Sequence, residues 1–311
     1  MPSSLAEILL NDSKRLEAAL NLDSSSARIE VQCLLQTVLQ VNRAYLLTHP
    51  EQQLESEQQA HYTALFGRRL RGEPIAYLLG EREFYGLTFK VTPATLIPRP
   101  DTELLVELAL QRIPLHGAFR VLDLGTGSGA IALSIAHARP DIEVMAVDAS
   151  QEALDVAREN ARRLLVQHES AHISTKPSVL SEAEGSVRTD FLIGNVSLLR
   201  SDWFSALTRE RFDLIVSNPP YIADGDAHLA QGDLRFEPRG ALASGADGLD
   251  DIRRIVAGAK EHLNPGGWLL FEHGYDQAGR VRELLGAAGY AEVFSARDLA
   301  GIERVSGGTT L

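Results

Sequence analysis

The run Asn218-Pro219-Pro220-Tyr221 is the sharpest chemical signal in this 311-residue sequence. Two consecutive prolines fix φ and push the residue before them out of the helical region, so the backbone is extended and stiff. The Asn218 side-chain oxygen and the Pro219 carbonyl can each accept one N–H of a planar NH2 group. An amide or aromatic amine nitrogen is a poor nucleophile because its lone pair is delocalised. It needs aim more than it needs a base. Near-attack positioning lowers such a barrier substantially, and two aimed carbonyl dipoles stabilise the positive charge that develops on nitrogen. A methyl carbon activated as a sulfonium, placed in line with that nitrogen, would then be displaced, and the nitrogen would shed its proton afterwards. Tyr221 is expected to wall off the planar group. Asn218, Pro219 and Tyr221 are therefore the expected catalytic residues, with Pro220 shaping the slot. The plainer alternative is a proline-braced turn after a strand.

A second constellation is Val121-Leu-Asp-Leu-Gly-Thr-Gly-Ser-Gly129. Gly125, Gly127 and Gly129 permit a tight turn and leave no Cβ between backbone and ligand; Thr126 and Ser128 lie between them. The spacing is GxGxG. It is neither the GxGxxG of dinucleotide enzymes nor, lacking a following Lys-Ser/Thr, a phosphate-cradling loop. Asp148 ends the next strand, about where an acid grips ribose hydroxyls, and an ionised carboxylate suits two O–H donors. Asp123 either fixes the loop or faces a cationic part of the ligand. The ligand expected here is a nucleoside.

The elements that must position these residues are β–α units. Val121–Leu124, Glu143–Val147, Val196–Leu199, Phe212–Val216 and Trp268–Phe271 read as strands, and Ser128–Ala138 and the face Ala153, Leu154, Ala157, Ala161, Leu164 as helices. Such alternation predicts an α/β fold, a parallel sheet with helices on both faces. Residues 2–70 carry helical periodicity, read as three helices, with Asp23–Ser26 as a capping break and the third helix starting near Glu51. Phe84 to Val91 read as a hairpin around Gly86, and Asp101 or Thr102 as the cap of a helix through Leu110. The polar stretch from Val166 to Asn195 fits no unit and is expected to be a surface insertion.

Net charge is −12, which argues against a chain built to lie on nucleic acid. The lone Cys33 makes no intramolecular disulfide and reads as core filler; no CxxC or HExxH suggests a metal. The first twenty residues mix acids and amides with leucines, unlike a secretory signal, and no apolar run is long enough to span a bilayer. The expectation is a cytoplasmic protein. His273 reads as a hydrogen-bonded edge residue, since the chemistry above needs no base of its kind.

Further runs join these motifs: Gly72-Glu-Pro-Ile-Ala-Tyr77, Glu83-Phe-Tyr-Gly86, Thr95-Leu-Ile-Pro-Arg-Pro-Asp-Thr-Glu103, Ser201-Asp-Trp-Phe204 and Arg235-Phe-Glu-Pro238. Together they resemble the peptide chain release factor glutamine methyltransferases, the HemK/PrmC family, over nearly the whole chain. The resemblance implies a seven-stranded, Rossmann-like class I methyltransferase domain over 101–311, a small N-terminal helical domain over 1–71 that binds the substrate protein, and a β-hairpin linker over 72–100. It implies S-adenosyl-L-methionine as donor and, as substrate, the side-chain amide (N5) of the Gly-Gly-Gln glutamine of class I release factors, with a place in translation termination. Gly125 to Gly129 and Asp148 would bind the donor, Trp203 would lie by the adenine, and Asn218 would touch donor and substrate. Pro219, Pro220 and Tyr221 would shape the glutamine slot, while Arg99 and Glu103 either seat the substrate loop or remain solvated linker residues. The insertion, about 167–194, departs from the family. Three other readings stay open: an adenine-N6 methyltransferase on nucleic acid, a ribosomal-protein glutamine methyltransferase, and a non-catalytic binding module on the same fold.

Overall fold

The computed structural model describes residues 3–165 and 191–311. They divide into two compact units, Met1–Glu81 with Ala230–Phe236, and Arg82–Leu229 with Glu237–Leu311. The first unit is helical: α1 (Leu5–Leu20), α2 (Ser24–Leu39), α3 (Arg43–Thr48), α4 (Ser56–Leu70) and α5 (Ile75–Leu79). Ser4 and Glu7 close a reciprocal capping box at the start of α1. Asp23, in the polar break, accepts the N–H groups of Ser25 and Ser26 and starts α2. Leu5, Ile8, Leu9 and Leu16 bury their stripe against Leu34, Leu35, Tyr62 and Phe66 in one core. Cys33, on α2, is only half-buried. Five helices stand where periodicity predicts three, and the last long one begins at Ser56, not near Glu51. The extra two, α3 and α5, have six and five residues, too few for a 3.6-residue period to show. Residues 230–236 belong to this unit, where Arg235 donates to the Arg71 carbonyl at 2.9 Å and Asp233 lies 3.5 Å from Arg69.

The chain continues through a two-stranded sheet of β1 (Glu81–Phe84) and β2 (Leu87–Lys90). They are joined by Tyr85 and Gly86, both at positive φ (51° and 75°), as a two-residue hairpin turn demands. Then come α6 (Glu103–Arg112), β3 (Arg120–Leu124), α7 (Ala130–Ala138), β4 (Glu143–Asp148), α8 (Gln151–Leu165), β5 (Phe191–Ile193), β6 (Val196–Arg200) and β7 (Phe212–Ser217). The remaining elements are α9 (Asp250–His262), β8 (Leu263–Glu272), α10 (Ala278–Ala287), β9 (Ala291–Arg297) and β10 (Glu303–Thr309). The sheet order is β5-β6-β4-β3-β7-β8-β10-β9. From β6 to β8 the strands run parallel; β5, β10 and β9 pair antiparallel with their neighbours. Strand residues alternate between two cores. Val121, Val144, Leu214 and Val216 face α6, α7 and α8, while Leu122, Met145, Ile215 and Leu269 face α9 and α10. That two-sided burial is why these strands read as continuous apolar runs.

Besides the antiparallel β5, β9 and β10 in a sheet expected to be parallel, two details differ from expectation. The sheet has eight strands among the described residues, not seven. The addition is β5, a three-residue strand that Gly194, at φ 54°, folds back onto β6. Most of the expected insertion lies outside the described residues, but its end, Phe191–Ile193, is this strand. Second, the run Asn264 to Gly267, whose residue types alone would suggest a turn, lies within β8. Gly266 donates to the Thr310 carbonyl and Thr310 donates back to that of Gly267, holding the segment in the ladder. No helix among the described residues is long and apolar enough to cross a membrane.

Candidate functional site

The strand order reverses at β3, with β4 on one side and β7 on the other, so the loops leaving β3 and β7 diverge over a crevice at the carboxyl edge. Leu124 is in register with both Val147 and Ser217, and the Ser217 hydroxyl donates to the Leu124 carbonyl at 2.8 Å. Three motifs distant in sequence therefore leave the sheet side by side: the glycine loop from Gly125, Asp148 and Asn218.

The loop is bent through Gly125, Gly127 and Gly129, at φ 70°, 57° and 84°, a region that residues with a Cβ avoid. Asp123 is fully buried behind it. One carboxylate oxygen accepts the Thr126 hydroxyl at 2.7 Å and the Ala132 N–H at 3.2 Å; the other has no hydrogen-bond partner among the described residues. Burial pushes this carboxyl up to about 7, against the pull of those two donors and with a further push from Asp148. Of its two expected roles, fixing the loop is the one its contacts serve. Asp148 accepts the Gly127 N–H on one oxygen and the Ser150 N–H on the other, each at 2.9 Å. Its carboxyl is also raised, mainly by burial, and each oxygen keeps a lone pair for a further donor.

Trp203, at φ 50°, lies against Gly125, where an added Cβ would come within 3.4 Å of its ring. Its indole N–H donates to Asp251 at 3.2 Å. Asp251, in the first turn of α9, is itself anchored by the Ser244 hydroxyl at 2.8 Å. The Asn218 amide lies 3.1 Å from the Thr102 hydroxyl. Thr102 donates to Glu272 at 2.6 Å, and Tyr221 donates to the other Glu272 oxygen at 3.0 Å. Burial pushes the Glu272 carboxyl up, while the two hydroxyls and Arg304 draw it back and Asp101 adds a smaller push. Gln277 donates to the Tyr221 carbonyl at 2.9 Å, bracing the backbone just past the prolines.

These groups surround a cavity of about 370 Å3, within the range of small-ligand sites. Of the expected site residues, Gly125, Thr126, Gly127, Ser128, Asp148, Trp203, Asn218 and Pro220 line it. Gly129, Pro219 and Tyr221 are not among its walls: a Cβ on Gly129 would meet Leu133 at 2.9 Å, Pro219 is buried, and the Tyr221 hydroxyl is turned to Glu272. Arg99 is a wall residue and pairs with buried Glu237, which also accepts the Ile97 N–H at 3.0 Å. Glu103 accepts the Tyr85 N–H at 3.0 Å. His273 is fully buried and bonded to the Gly274 carbonyl and the Ser306 hydroxyl, away from the cavity walls.

Sequence reasoning took Thr102 for a helix cap and passed over Glu272 and Asp251. Thr102 is the N-cap residue of α6, as expected, but its backbone is helical and its side chain makes no capping bond. Its hydroxyl is committed to Glu272. The available signal for Glu272 was a carboxylate closing the apolar run Trp268–Phe271, where an unpaired charge would be costly.

Two family models match the chain: the PrmC N-terminal domain over residues 7–80 and the methyltransferase small domain over residues 100–196. The chain is 51% identical over 308 residues to the release factor glutamine methyltransferase of Burkholderia pseudomallei, covering 99% of this chain and 96% of that one. It is 51% identical over 287 residues to the one of Bordetella pertussis, covering 92% and 96%, and 48% identical over 284 residues to the one of Pseudomonas aeruginosa, covering 91% and 93%. Among solved structures, the catalytic domain of hMettl16 superposes with a TM-score of 0.53 at 14% identity, covering 79% of this chain and 82% of that one, a likeness of fold. The α/β sheet is thus that of a class I methyltransferase, and the chain belongs to the release factor glutamine methyltransferases.

Proposed function

We propose that the chain transfers a methyl group from S-adenosyl-L-methionine to the side-chain amide nitrogen of the glutamine in the Gly-Gly-Gln motif of class I release factors. The observation that carries this reading is the register of Leu124 with Ser217, which sets the glycine loop beside Asn218 at one cavity. A loop held at positive φ, a carboxylate with spare lone pairs and an indole face next to Gly125 suit a nucleoside, so Gly125 to Ser128, Asp148 and Trp203 are the proposed donor-binding residues, with Gly129 supporting the turn from behind. The bound donor supplies a methyl carbon activated by a positively charged sulfur. The Asn218 side-chain oxygen, and in this reading the Pro219 carbonyl, accept the N–H groups of the glutamine and hold its nitrogen toward that carbon. Pro220 keeps the segment rigid, and Tyr221 braces it through Glu272. No general base is needed, because a methylated amide nitrogen gives up its extra proton to water.

Residues 1–71 are taken as the part that grips the release factor, 72–100 as the linker and 101–311 as the methyltransferase domain. A substrate of translation termination assigns the enzyme to the cytoplasm. The test is mass spectrometry of a release factor after incubation with enzyme and donor. One added methyl on the Gly-Gly-Gln peptide is expected. Label from the donor entering DNA or RNA, with none in the release factor, would overturn the reading.

A further inference from the structure

We infer that Glu272 and Thr102 dictate which end of the Asn218 amide meets the substrate, and so make the site select a carboxamide over a carboxylate; this deepens, and rests on, the glutamine reading above. The three residues come from separate places. Thr102 precedes α6, Glu272 closes β8 and Asn218 follows β7. The register of Ser217 with Phe271 brings the latter two level at the sheet edge. Thr102 and Glu272 are 4% and 1% exposed, so water does not compete for their bonds.

Proton counting sets the direction of the chain. Each Glu272 oxygen receives a hydroxyl, one from Thr102 and one from Tyr221. Burial raises this carboxyl, but both its oxygens already take a hydroxyl proton and Arg304 lies nearby, an arrangement that suits an anion because an anion only accepts. Thr102 has one hydroxyl proton and gives it to Glu272. Toward Asn218 it has only lone pairs. The amide atom that faces it at 3.1 Å is the NH2. The Asn218 oxygen is left for the cavity that this residue lines.

An acceptor in that position rewards a donor. A glutamine side chain offers its NH2 and is held by the nitrogen that reacts. A glutamate side chain offers only lone pairs and is repelled. If the constraint is removed, Asn218 can turn over and present its own NH2. It then holds a glutamine by the oxygen, with the nitrogen facing away.

The variant that separates this from plain packing is Thr102→Val, measured in the full-length enzyme. Donor affinity by calorimetry should hold. kcat should fall by roughly tenfold or more, in line with loss of an aimed polar contact. A release factor carrying glutamate in place of the glutamine should become a better competitive inhibitor relative to the wild-type case. Thr102→Ser, which keeps the hydroxyl, should recover most of the lost kcat. A Thr102→Val enzyme with wild-type kcat and undiminished discrimination would overturn the inference. Should Thr102→Val fail to fold, the wild-type enzyme still decides: the glutamate form should bind at least about tenfold more weakly than the glutamine form, and equal binding would overturn the inference. If the wild type does not methylate the release factor at all, it is the function that fails, not the orientation argument.

Discussion

In the proposed reading Asn218 aims its side-chain oxygen at a substrate N–H, a bond that strengthens once bound substrate displaces water from the cavity. Asn218→Ala is expected to cost about a hundredfold in kcat, the scale of losing one preorganised contact to developing charge, with the circular dichroism spectrum unchanged. Asp123 makes a different prediction. Its carboxyl titrates near 7 in the fold against 3.8 when free. As pH rises between those values, the unfolded chain gives up its proton first, so this residue lowers stability across that window and its penalty is flat above about 7. In the absence of donor, Asp123→Asn should melt higher than wild type at mildly alkaline pH and converge with it near pH 4; melting curves across pH read this directly. The site was legible as far as residue type and local spacing reach. Gly125, Asp148, Trp203 and Asn218 announce themselves by motif and do line one cavity. Thr102 and Glu272 do not, because they lie 170 residues apart and each has an ordinary local reading, as a cap and as a strand end.

At the scale of elements, the segment after the prolines is supported from behind. Gly248, at φ 74°, packs so closely that a Cβ there would fall 2.3 Å from the Tyr221 carbonyl oxygen and 2.9 Å from the Gln277 side chain. Gly248→Ala must both strain its own backbone and displace the brace. It should destabilise by about 1–3 kcal/mol and lower kcat without weakening donor binding, as thermal melting and single-turnover kinetics will report. The β–α rhythm was readable because buried parallel strands and amphipathic helices each span enough residues for their periods to show. Past Val216 only Trp268–Phe271 was placed, so α9, α10, β9 and β10 went unread. The other elements that escaped were short, α3, α5 and β5 having six, five and three residues, and β8 runs through Asn264-Pro265-Gly266-Gly267, a string that by itself reads as a turn. Tertiary hydrogen bonds to Thr310 decide that case.

At the scale of the whole molecule, the chain has two units whose cores follow different logic. The helical unit is closed by side chains from α1, α2 and α4, whereas the sheet unit buries apolar faces on both sides of one layer. All the walls of the cavity come from the sheet unit. A composition with 42 acidic and 30 basic residues fits either unit and could not separate them. The order of strands, set by long-range pairing, was beyond any local pattern. Among the described residues the outermost strand at one end is β5, which has a consequence for how copies of the protein coexist. It is three residues long and pairs all along with β6, and Arg158 and Arg162 lie over its Phe191 ring. A rim that short gives a foreign chain little to zip onto. Excising Phe191–Ile193 should leave methyl transfer near its original rate in dilute solution, yet let concentrated samples cloud as neighbouring molecules stitch together along a bared β6, which light scattering would register.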